Sequence, residues 1–108
     1  MDGQLKRGLL DVCVLAAIKN EESYGYQIIK ELKPYVALSE STLYTILKRL
    51  ETAGLLTVRT AEHGGRMRKY YHITETGCTR MEAFRDEWDE MMSLYRFVIK
   101  EDHGNDET

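Results

Sequence analysis

Apolar residues recur along this chain with two different periods, and the change from one to the other divides it. From Leu5 to Lys19, "LKRGLLDVCVLAAIK", the pattern predicts a helix that is apolar nearly all round between Val12 and Ile18, which places it in the centre of a core. "NEES" interrupts that pattern. Ser23 then stands as the N-cap of a second helix, "YGYQIIKELK", with Ile28, Ile29 and Leu32 at core spacing. Pro34 ends it, because proline disfavours helical geometry in the preceding residue and carries no amide donor. A third helix follows in "SESTLYTILKRLETAG". Ser39 is its natural N-cap, Leu43, Ile46, Leu47 and Leu50 share one face, and Gly54 supplies a left-handed stop. The opposite face holds Ser41, Thr45, Lys48 and Thr52, flanked by Tyr44 and Arg49, and meets no carboxylate until Glu51.

After Gly54 the period shortens. "LLTVRTAE" and "MRKYYHIT" are both strand-prone, and the glycine pair between them marks a hairpin turn or a longer loop. Alternation in the second strand sets Met67, Lys69, Tyr71 and Ile73 on one face, packing down, with Lys69 snorkelling near the tip. Arg66, Arg68, Tyr70 and His72 then point outward. From Thr74 or Glu75 to about Lys100 the helical period returns. Met81, Phe84, Trp88, Met91, Tyr95 and Val98 follow one another as the a/d seam of a coiled coil, over fewer heptads than pattern alone requires. The polar "EDHGNDET" reads as a frayed tail.

Three helices, a hairpin and a long helix in that order make a winged helix-turn-helix. The fold class is therefore α+β, mainly α. Residues 1–74 are expected to form the winged helix-turn-helix domain, 75–101 a C-terminal dimerisation helix, and 102–108 a flexible acidic tail. The major groove of B-DNA admits one helix, and a hydroxyl-rich or cationic face approaches base edges without repelling phosphates. A basic hairpin tip can reach the neighbouring backbone or the minor groove.

Charge sharpens this picture. The chain of 108 residues has a formal net charge of -3. Residues 1–77 nevertheless carry 11 Lys and Arg against 9 Asp and Glu, whereas residues 78–108 carry 4 against 9. The acidity thus belongs to the last helix and tail, and the overall charge says nothing against an anionic partner. The length fits one domain, small enough for oligomerisation to enlarge its core. Cys13 and Cys78 lack metal-ligand spacing and read as reduced, packed thiols. His63, His72 and His103 share no metal spacing either, so no metal or cofactor is expected. The absence of a long apolar run or signal peptide in the sequence points to a soluble, cytoplasmic protein. An enzyme is not expected: there is no Gly-rich phosphate loop, HExxH or GxSxG, and Asp86/Glu87 and Asp89/Glu90 sit on a solvated helix face.

The stretches "SYGYQIIKEL", "STLYTILKRLETAGLL" and "GGRMRKYYHITETG" resemble the signature segments of PadR-family transcriptional regulators, bacterial winged-helix repressors that act as homodimers. The likeness covers about residues 8–77. It implies that Ser41, Thr42, Tyr44, Thr45 and Lys48 belong to a DNA-recognition helix, that Arg66, Arg68 and Lys69 belong to the wing, and that Tyr24, Gly25 and Tyr26 lie near the DNA backbone. In multidrug-sensing members an aromatic on the last helix lines a flat apolar cavity between protomers. Trp88 stands in that region with Met92 nearby, which implies a planar aromatic or phenolic effector. Where the family often has proline after the tyrosine, this chain has Thr45, which leaves the subgroup open.

The residues keep alternatives open. Arg49 serves either a phosphate or an internal carboxylate. Tyr24 and Tyr26 are packing residues or phosphate contacts, and Trp88 fills a dimer seam or walls a ligand cavity. The predicted partners are double-stranded DNA with a pseudo-palindromic operator, and a second copy of the chain. The alternative function is a winged-helix protein-interaction module that does not bind DNA.

Overall fold

A computed structural model of the protein describes residues 2–100. It contains α1 (Gly3–Ala17), α2 (Gly25–Leu32), α3 (Glu40–Thr52), β1 (Leu56–His63), β2 (Arg66–Ile73) and α4 (Glu75–Val98). The proposed tail, with His103, lies outside the described residues.

Helix α1 begins two residues before the apolar pattern does, because Asp2 caps it by accepting from the amides of Gln4 and Leu5 at 3.1 Å. Val14, Leu15 and Ile18 are fully buried, and they meet Ile28 and Leu32 of α2 and Leu43, Ile46, Leu47 and Leu50 of α3. The α3 N-cap is Ser39, whose hydroxyl accepts from the Thr42 amide at 3.1 Å. Its C-terminus closes in a Schellman motif: Gly54 has φ +78°, its amide donates to the Glu51 carbonyl, and the Leu55 amide reaches the Leu50 carbonyl, each at 2.9 Å.

Ser23 corrects the sequence expectation. Tyr24 occupies the α2 cap position, without a side-chain cap, and Ser23 pairs with the wing. The Ser23 amide donates to the Tyr71 carbonyl at 3.1 Å, and the Tyr71 amide donates back at 2.7 Å. The backbone of Ser23 thus acts as a one-residue strand at the sheet edge. Its hydroxyl is buried with no hydrogen-bond partner among the described residues, so strand pairing has taken the residue that local chemistry assigned to the helix.

The wing is a two-stranded antiparallel sheet, with His63 opposite Arg66 and Leu56 opposite Ile73. Gly64 and Gly65, at φ +59° and +81°, make the two-residue turn, a geometry that matches the right-handed strand twist. The base of the wing belongs to the core through Leu56, Tyr71 and Ile73, while its tip stands clear.

Helix α4 is bolted to the corner between α3 and β1. The Thr74 amide donates to the Leu55 carbonyl at 3.1 Å, its hydroxyl donates to the Gly54 carbonyl at 2.7 Å, and the same oxygen caps α4 by accepting from the Gly77 amide at 3.0 Å. Gly77 is buried so closely that a Cβ there would lie 2.2 Å from the Leu55 carbonyl oxygen. Cys78 and Met81 pack against the core, and beyond them the helix leaves it. The Cα radius of gyration is 17.5 Å, whereas a compact domain of this length has about 13 Å.

The far half of α4 is consequently bare. Phe84 and Trp88 stack with centroids 5.9 Å apart. Trp88 is 38% exposed, Met91 43%, Tyr95 53% and Val98 70%. Leu94 and Phe97, outside the predicted seam, are exposed too. Met81, counted in that seam, packs against the core of its own chain.

Candidate nucleic-acid interface

Burial of Leu43, Ile46, Leu47 and Leu50 turns Ser41, Thr42, Tyr44, Thr45 and Lys48 outward together, and all five are exposed. Their hydroxyls differ in what they have left to offer. Ser39 donates to the Thr42 hydroxyl oxygen at 2.9 Å, so Thr42 keeps its own proton for an outside acceptor. The Thr45 hydroxyl donates to the Ser41 carbonyl at 2.9 Å and retains only acceptor capacity. Lys48 meets Glu51 at 3.9 Å with its side chain 79% exposed, too loose a pair to neutralise it. Arg49 sits at the edge of the face and binds Asp11 of α1. That outcome matches one of the two alternatives open for it, the internal carboxylate.

Tyr44 lies over Gly25. A Cβ at Gly25 would come within 2.8 Å of the Tyr44 hydroxyl oxygen, so this glycine admits a recognition-face side chain against the start of α2. Tyr26 is 70% exposed beside it. A cleft of about 600 Å³ runs from these residues to the wing, between Tyr24 and Tyr44 on one side and Arg66, Arg68 and Lys69 on the other.

The wing cations divide differently from the alternation pattern. Arg68 does not stand free in solvent: its guanidinium lies 3.8 Å from the Tyr24 ring centroid and 5.9 Å from that of Tyr70. Tyr24 meets Tyr70 edge to face at 5.9 Å, and Arg59 covers Tyr70 from 4.7 Å. Arg59 in turn makes a two-pronged pair with Glu22, its Nε donating to Oε2 at 2.8 Å. That hydrogen bonding holds the Glu22 carboxyl below its ordinary range and raises Arg59. The chain Glu22, Arg59, Tyr70, Arg68, Tyr24 ties the wing to the entrance of α2. Arg66 and Lys69 remain exposed, with no carboxylate in salt-bridge range among the described residues.

Arg59, Glu22 and Asp11 had no place in the sequence reading. Arg59 was accessible from register: once the turn is the two glycines, position 59 faces position 70. Elsewhere, Cys13 and Cys78 are free thiols, and burial pushes the Cys13 thiol up. No metal-binding cluster occurs among the described residues, and none of their helices is long and apolar enough to cross a membrane.

Residues 14–83, spanning the helix-turn-helix, the wing and the first turns of α4, match the Transcriptional regulator PadR-like family. The chain belongs to this family. PadR-like proteins are transcription regulators and not enzymes, and their winged-helix fold is the one seen here. A protein of Streptococcus mutans UA159 is similar at 41% identity and a TM-score of 0.75, over 85% of this chain and 88% of that one. A PadR-like transcriptional regulator of Bacillus cereus is 30% identical, with a TM-score of 0.77 over 91% and 98% of the two chains. Bacillus subtilis PadR, solved in complex with operator DNA, is 26% identical, with a TM-score of 0.66 over 70% of this chain and 46% of that one.

Proposed function

We propose that this PadR-like protein is a cytoplasmic, homodimeric repressor that binds a pseudo-palindromic operator in double-stranded DNA. The observation that carries the reading is the shared exposure of Ser41, Thr42, Tyr44, Thr45 and Lys48 on one helix, next to a wing whose tip presents Arg66 and Lys69. The α3 face enters the major groove, where hydroxyls and Lys48 meet base edges, and the wing follows the neighbouring phosphates. Tyr24, Gly25 and Tyr26 stand at the backbone. Arg68 stacks by its face and keeps its edge N–H groups for a phosphate. Operator binding by the Bacillus subtilis relative supports the assignment.

The bare apolar half of α4 supports pairing with a second copy, because a lone helix exposing Trp88, Met91, Leu94, Tyr95, Phe97 and Val98 is unfavourable in water. Thr74 and Gly77 fasten α4 to the end of α3, so the crossing of two α4 helices sets the separation of the two recognition helices. A planar aromatic or phenolic effector held at Trp88 and Met92 relieves repression by favouring a dimer whose recognition helices no longer match successive grooves. Selecting bound duplexes from a random DNA library tests the central claim. The expected product is an inverted repeat with half-sites about one helical turn, or a multiple, apart. A library that shows no enrichment overturns it.

A further inference from the structure

We infer that the N-terminal half of α1 carries a second phosphate-contact site, formed by Lys6 and Arg7, on the flank of α3 away from the wing; this rests on the DNA-binding reading above. Gly3, Lys6, Arg7 and Leu10 recur at i, i+3, i+4 and i+7, one face of α1. Thr42, Thr45 and Ile46 follow the same spacing on α3. The two faces meet across a cleft of about 260 Å³, with Leu10 and Ile46 among its apolar lining. Both cations therefore border the same cleft as two hydroxyls of the recognition face.

Their charge is left available by the internal pairing. Asp11 lies four residues after Arg7, the spacing at which a helix carboxylate neutralises an arginine. Here Asp11 is taken by Arg49, a contact that also ties α1 to α3. Asp2, the other acid at this end of α1, is engaged by the Gln4 and Leu5 amides. Lys6 and Arg7 have no carboxylate within salt-bridge range among the described residues. A helix in the major groove lies between two phosphate strands, and the wing reaches one of them. The cations on the opposite flank match the other strand, and the ligand class is the sugar-phosphate backbone of duplex DNA, contacted without regard to sequence.

The test is anisotropy titration of the full chain with a mixed-sequence duplex of about 30 base pairs over a range of salt concentrations. For Lys6→Ala/Arg7→Ala, the slope of log K against log salt should shrink by about 1.8 per bound protomer, the loss of two phosphate contacts. Lys6→Arg/Arg7→Lys should restore it, and Lys19→Ala, beyond the far end of α1, should leave it unchanged. Both substituted residues are exposed, and an unaltered thermal midpoint checks that the fold is intact. A wild-type slope retained by the double alanine variant overturns the site. So does a loss about half as large in Lys19→Ala, which removes one charge instead of two and would make the effect one of net charge. A wild-type chain with no salt-dependent DNA affinity overturns the DNA-binding reading itself.

Discussion

Replacing Gly77 with alanine sets helix propensity against packing, and the geometry decides the sign. In an open helix the change would stabilise by about 1 kcal/mol. At Gly77 the added methyl would sit 2.2 Å from the Leu55 carbonyl oxygen and 2.7 Å from Cγ1 of Ile73. The oxygen is backbone in the α3–β1 corner, so the first turn of α4 must move away by about 1 Å to reach ordinary contact. That shift stretches two bonds across the junction, from the Thr74 amide to Leu55 and from the Thr74 hydroxyl to Gly54, each worth about 1 kcal/mol net. Overpacking against Ile73 adds about 1 to 3 kcal/mol. With the propensity gain subtracted, the variant should be less stable by about 2 to 4 kcal/mol, which lowers Tm by roughly 10 to 20 °C. Calorimetry at one fixed chain concentration reads this directly, since Tm of the proposed dimer would depend on concentration. Gly8→Ala is the control: nothing lies within 4 Å of a Cβ there, so propensity should act alone and raise Tm. If Gly77→Ala were as stable as the parent, the junction would have slack and the coupling of α4 to α3 would lose its basis.

Gly25→Ala crowds only the far end of the Tyr44 side chain, so its stability cost should stay below about 1 kcal/mol. Displacement of Tyr44 should still lower DNA affinity, and parallel melting and binding curves separate the two effects. Met91→Glu should leave a monomer at low micromolar concentration in sedimentation, because it puts a charge into the proposed seam; a persistent dimer would move the interface elsewhere on α4. Arg68→Ala should speed amide exchange along β2 by removing the stack on Tyr24, and should reduce the salt slope by about 1 if its edge also contacts a phosphate. Unchanged exchange would mean that the wing is held by its base alone. A panel of planar aromatic compounds should quench the fluorescence of Trp88, the sole tryptophan; no quenching would leave Trp88 a packing residue.

Helix and strand periods carried most of the architecture, because each element buries one face and the buried residues recur at its own period. Leu43, Ile46, Leu47 and Leu50 fixed which side of α3 faces outward, and with it the candidate recognition residues. What the sequence concealed depends on contacts between distant segments. Ser23 has the chemistry of a helix cap, yet its backbone pairs with Tyr71, 48 positions away. Arg68 alternates outward as expected, but "outward" at that height of the wing is where Tyr24 stands. Lys6 and Arg7 look like ordinary surface charges until α1 is laid beside α3 and Asp11 is seen to be engaged elsewhere. Only the register of the hairpin, and so the pairing of Arg59 with Tyr70, could have been read earlier.

The central claim is that α3 and the wing form one DNA-binding surface while the distal part of α4 does not touch DNA. Backbone amide shift mapping during titration with the selected duplex tests this most directly. Changes should concentrate in residues 41–49 and 64–70 and at Lys6 and Arg7, with smaller ones near Tyr24 and Tyr26 and none from Phe84 to Val98. Changes confined to α4, or none at all in α3, would contradict it.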